Sequence, residues 1–161
     1  QPVAEWNIAA DVSAARAVQA ASWPISTAPL DSSALGQLSG DAMRSLVNSP
    51  SAVSRAVLAM SKVWLPLSPW PDSVHGPLCQ ADFVSCSSVL FDLVACVLAV
   101  PPHARILRLE DLPVQVFDNG TTAVEARALV KKWAVDWVDQ RGWQTAVSTV
   151  ISRVRSAPVW L

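Results

Sequence analysis

The stretch from Cys79 to Val100, CQADFVSCSSVLFDLVACVLAV, limits this chain more than any other, because it is apolar almost all the way round. At 100° per residue, Phe83, Leu90, Leu93, Val94, Val97 and Leu98 fall on one broad bulky arc. Ala81, Ser85, Ser88, Asp92, Cys96 and Ala99 form a narrow stripe of small residues with a single charge. A helix of that kind is either the core of a globular protein or a membrane span. Asp92 in mid-helix costs about 2.5–3.5 kcal/mol on insertion scales, and the serines in the first turns add to it, so the span reading is set aside. The expectation is a buried central helix over 79–100, with the small stripe left as a sliver of solvent exposure between its neighbours.

The flanking segments then read as a covering. Residues 6–22 are rich in alanine and predict a helix ending before Pro24. A short turn is expected over 32–38, and a brief helix follows Ser39 with Met43, Leu46 and Val47. Ser49 and Pro50 open another helix running to about Trp64. Residues 65–78 hold four prolines and predict a rigid connector, with Trp70 between Pro69 and Pro71 as its anchor. Pro101 and Pro102 stop the central helix.

The one plausible sheet is a hairpin near 105–117, pairing Arg105–Leu109 with Val114–Phe117 across Glu110 to Pro113. Asp118, Asn119 and Gly120 signal a turn, and Asn119-Gly120-Thr121 also matches a glycosylation sequon. The turn is the reading preferred here. Thr122 and Glu125 have the spacing of a capping box and predict a helix over 122–140, with Ala126, Val130, Trp133 and Trp137 inward. A last helix starts near Trp143 and ends before Pro158. The expected fold is therefore all-α: one helical domain over 1–161, five to six helices around the central one, with a small hairpin. Gln1 stands where a start Met would be, which suggests a processed piece of a longer chain.

Charged residues make up 16% of the chain against 52% hydrophobic, net charge is −1, and the three lysines form no basic run. Nothing here would track a phosphate backbone, so nucleic-acid binding is not supported. Cys79, Cys86 and Cys96 on one helix lie too far apart along its axis to bridge, and read as reduced core residues. With no signal peptide visible, that favours a reduced-thiol setting, intracellular or within a virion. No membrane association is expected.

Chemistry is sparse. Cys79 heads a helix, whose N-terminus would lower a thiol pKa, and His75 lies four residues earlier. His103 is a helix length away and cannot act as the base. A metal site drawn from His75, Cys79 and Cys86 has the wrong spacing, so no cofactor and no metal are expected. What remains is a thinly charged surface with tryptophan near both chain ends and in the connector, a combination that promotes association. The first reading is a non-enzymatic structural or assembly module, a protein-interaction subunit or surface-decorating piece of a larger assembly such as a virus capsid. It would meet a protein partner or its own copies through Trp6, Trp70 and Trp160. The alternative is a thiol-dependent hydrolase or transferase using Cys79 with His75.

Overall fold

A computed structural model describes residues 4–64, 85–100 and 103–154. The fold is mixed α/β, which corrects the all-α expectation. Among the described residues there are seven α-helices: α1 (Trp6–Ala10), α2 (Val12–Ala20), α3 (Leu30–Ser33), α4 (Gly40–Val47), α5 (Ala52–Trp64), α6 (Phe91–Leu98) and α7 (Gln140–Arg153). Four strands, β1 (Ser26–Thr27), β2 (Leu107–Val116), β3 (Thr122–Val124) and β4 (Val130–Trp137), form one sheet in the order β1-β4-β2-β3. The β1–β4 pair is parallel and the other two are antiparallel.

The expected central rod is broken. Residues 85–90 are not helical, and helix begins only at Phe91. Serine hydroxyls compete with helical hydrogen bonds, and here they serve an extended pairing instead. Ser87 N–H donates to Leu38 O at 3.0 Å, Leu38 N–H donates to the Ser87 hydroxyl at 3.0 Å, and Leu90 N–H donates to Gly36 O at 2.8 Å. Ser39 and Cys86 complete an isolated antiparallel bridge. Asp92 and Cys96 of α6 and Ala99 just after it are exposed, as the small stripe predicts for that part of the segment.

The helix expected over 122–140 is also absent: β3, a turn and β4 occupy it. Trp133 and Trp137 have helical spacing in the sequence, yet they lie on opposite faces of the sheet. Arg108 pairs with Asp136 while Leu109 pairs with Ala134, so Val135 is an extra residue in β4, a bulge that inverts the alternation. The expected hairpin at 105–117 is instead one ten-residue strand. Pro113 is tolerated in it because both neighbouring ladders end there: Pro113 pairs with Val130, the first residue of β4, and its carbonyl accepts from Glu125 just past β3. The turn at 118–120 forms as expected. Gly120 has φ +78° and lies against Ala9, so both its backbone conformation and its surroundings favour glycine.

Cross-strand partners share a face. Leu107, Leu109, Ala134 and Trp137 therefore form the inner face, which meets Leu38, Met43, Leu46, Val94 and Trp143 in the main core. In α4 the stripe Ala42, Met43, Leu46 is buried, consistent with helical periodicity. Gly36 allows the closest approach in this layer, since a Cβ there would sit 2.6 Å from Val94 Cγ2. Serines fasten the helices. The Ser51 hydroxyl accepts from the N–H groups of Val53 and Ser54 at the start of α5, and donates to Ile151 O and Val154 O at the end of α7. One side chain thus caps two helix ends that hydrogen bonding within each helix leaves unsatisfied.

The expected helix over 6–22 is two helices, divided at Asp11. The Asp11 carboxylate caps α2, accepting from Ala14 N–H at 2.8 Å and from the Ser13 hydroxyl at 2.7 Å. These bonds, the Ala14 amide first, hold its pKa below the ordinary value of 3.8. A carboxylate stabilised in the folded state contributes above its unfolded pKa and loses that contribution as pH falls through its lowered folded pKa. The Asp11 carboxyl is therefore expected to titrate below pH 3.8 in a carbon-detected NMR titration, with the Ala14 amide resonance moving in step. A midpoint at or above that ordinary value would show that the cap does not form.

Candidate interaction surface

The outer face of the sheet carries Arg108, Glu110, Leu112, Val114 and Val116 from β2, Lys131, Trp133 and Asp136 from β4, and Thr122 and Val124 from β3. At one end Arg108 pairs with Glu110 at 3.1 Å and with Asp136 at 3.7 Å. The other end carries Leu112, Val114, Val116 and Val124 beside Lys131. Helix α2 is anchored beside it: Arg16 Nε donates to Val116 O at 2.9 Å, and Lys131 Nζ donates to Ala21 O at 2.5 Å and Trp23 O at 3.2 Å.

Two shallow grooves lie on this face. The first, about 320 Å³, is lined by Pro29, Asp31, Leu112, Val124, Trp133 and their neighbours. The second, about 250 Å³, runs along α2 past Arg16, Gln19, Ala128 and Leu129. They meet at Val114, which lines both. Each contributes one residue whose polar atom is buried without a hydrogen-bond partner: the Trp133 indole N–H, a donor, and Gln19 Oε1, an acceptor. Buried polar groups are nearly always paired, and leaving one unpaired costs about 1–3 kcal/mol.

Val124 in the first groove and Leu129 in the second are each more than half exposed. Beside the first groove runs the free edge of β3. Phe117 N–H donates to Thr121 O and Glu125 N–H donates to Pro113 O, so alternation turns the backbone groups of Thr122 and Val124 away from β2. Among the described residues no further strand pairs with that edge, and its shortness protects it.

Of the residues singled out in the sequence, Trp6 begins α1 and is 72% exposed. Trp70, Trp160, Cys79 and His75 lie outside the described residues. Cys86 is disulfide-bonded and buried, which corrects its reading as a reduced thiol. The premise of that reading, one unbroken helix fixing the spacing of the cysteines, fails at residues 85–90. Cys96 is a free thiol but is exposed rather than in the core. Among the described residues, no three His, Cys, Asp or Glu side chains come together to hold a metal, and no helix is long and apolar enough to cross a membrane. The helical spacing read over 122–140 conceals the grooved face from a sequence reading. The alternation Leu112, Val114, Val116 is the signal that could have found it.

In comparisons with known proteins, neither the family models nor the curated sequences match this chain.

Proposed function

We propose that this protein is a non-enzymatic assembly module, a subunit or surface-decorating piece of a larger structure, that associates through the outer face of its sheet. The observation that carries this reading is the edge of β3, unpaired among the described residues, beside two adjoining shallow grooves. An exposed edge pairs with an extended segment. A second copy meets that requirement. Under a two-fold axis at Ala123, Thr122 of one protomer faces Val124 of the other, so the edge is its own complement. The thin charge of the whole chain and the exposure of Trp6 and Trp23 favour association further.

Sedimentation equilibrium tests this. The chain is expected to show a native mass above its 17.2 kDa monomer at micromolar concentration. Val124→Asp places a charge on the edge and is expected to weaken self-association at least tenfold, roughly 1.4 kcal/mol, with an unchanged circular dichroism spectrum. A wild-type chain that stays monomeric at every concentration would sink the proposal.

A further inference from the structure

The turn between β2 and β3 supplies a site that the assembly reading does not use. Asn119 is exposed at its tip, between Asp118, which pairs with Arg16 at 2.8 Å, and Gly120, packed against α1. The Asn119 side-chain oxygen is engaged on one side only: it accepts from Thr121 N–H at 3.1 Å and from the Thr121 hydroxyl at 2.7 Å. Its Nδ2 has no acceptor among the described residues and is left to solvent. The residue between them is glycine, so the sequence Asn119-Gly120-Thr121 meets the acceptor rule, and neither Asn7 nor Asn48 does.

A second observation is independent of this geometry. Cys86 is disulfide-bonded, and structural disulfides form in oxidising compartments such as the lumen of the secretory pathway, where glycosylation of such sequons takes place. From the two together we infer that Asn119 is an N-glycosylation site, modified when the chain passes through that lumen. The hydroxyl of Thr121 polarises the amide through its oxygen, and Nδ2 is the nucleophile. The co-substrate is a lipid-pyrophosphate-linked oligosaccharide. Nδ2 forms a bond to the anomeric carbon as the bond from that carbon to the pyrophosphate oxygen breaks. The lipid pyrophosphate departs with the electron pair, and the amide proton passes to a base of the transferase. No electrons are exchanged with an outside reagent. A glycan on Asn119 is attached just before the start of β3. It adds a bulky hydrophilic cover to a surface short of charge.

The test is expression of the full chain behind a secretory leader in animal cells, with a second, known acceptor tripeptide appended at the C-terminus to report entry into the lumen. Mass spectrometry of the peptide containing Asn119 is expected to show a glycan that peptide N-glycosidase removes. Asn119→Gln and Thr121→Ala are expected to abolish it, and Thr121→Ser to retain it, because serine keeps the hydroxyl. A chain glycosylated on the appended tag but bare at Asn119 would overturn the inference. So would retention of the glycan in Thr121→Ala.

Discussion

Replacing Trp143 with alanine is expected to lower the stability of the fold by about 3–5 kcal/mol, the range for truncating a fully buried aromatic side chain. Trp143 is 1% exposed and is the largest fully buried side chain among the described residues. It stands in the first turn of α7, whose N-cap Asp139 accepts from Gly142 N–H at 2.8 Å, and its ring meets that of Trp137 edge-on with centroids 5.2 Å apart. Trp137 is itself fixed by its indole N–H, which donates to Ser32 O at 2.9 Å. The indole of Trp143 thus joins helix, sheet and the α3 segment, and its removal opens all three. Phenylalanine at this position separates volume from polarity. Trp143 Nε1 is buried without a partner, so Trp143→Phe removes that unpaired donor along with part of the ring. Its loss is expected to be less than half that of alanine, read from urea midpoints at constant m-value. Equal losses for the two substitutions would overturn the assignment of this stability to filled volume.

Where the sequence was legible, one physical signal sufficed. The stripe of Met43 and Leu46, the run from Ala52 to Trp64 and the helix beginning near Trp143 all have helical periodicity that packing rewards, and all three helices form. The turn at Asp118 to Gly120 was legible because only a few residues suit it. The failures are those where tertiary pairing outweighs local preference. Ser85 to Ser88 look like the start of an apolar helix, but Cys86 and Ser87 are drawn into pairing with Leu38 and Ser39, far away in the sequence. Trp133 and Trp137 look like one helical face, and only the bulge at Val135 reveals that they belong to two faces of a sheet. A bulge leaves no periodic trace. The candidate interaction surface inherited that error. Its residues come from α2, β2, β3 and β4, and no local pattern announces that Gln19 and Trp133 stand on the same face.

The change at Cys86 has consequences for both fold and setting. Cys86→Ala is expected to cost about 2–5 kcal/mol under oxidising conditions, the usual loss when a native disulfide is removed from a small secreted domain. Cys86 is 4% exposed and forms a β-bridge with Ser39, in an extended segment that also contains the buried Val89. That segment directly precedes α6, and no regular helix or sheet ladder holds residues 87–90. A covalent restraint at Cys86 therefore limits the unfolded chain beside a segment that has no regular secondary structure in the folded one. Cys96 provides the internal control. It is exposed and free, so Cys96→Ser is expected to change stability by no more than about 0.5 kcal/mol. Alkylation of the native oxidised protein is expected to modify Cys96 at once and Cys86 only after reduction. If Cys86 were alkylated without reductant, and Cys86→Ala left the urea midpoint unmoved, the disulfide would fall. The compartment argument for Asn119 would fall with it, whereas the grooved face of the sheet, which takes no residue from this segment, would stand.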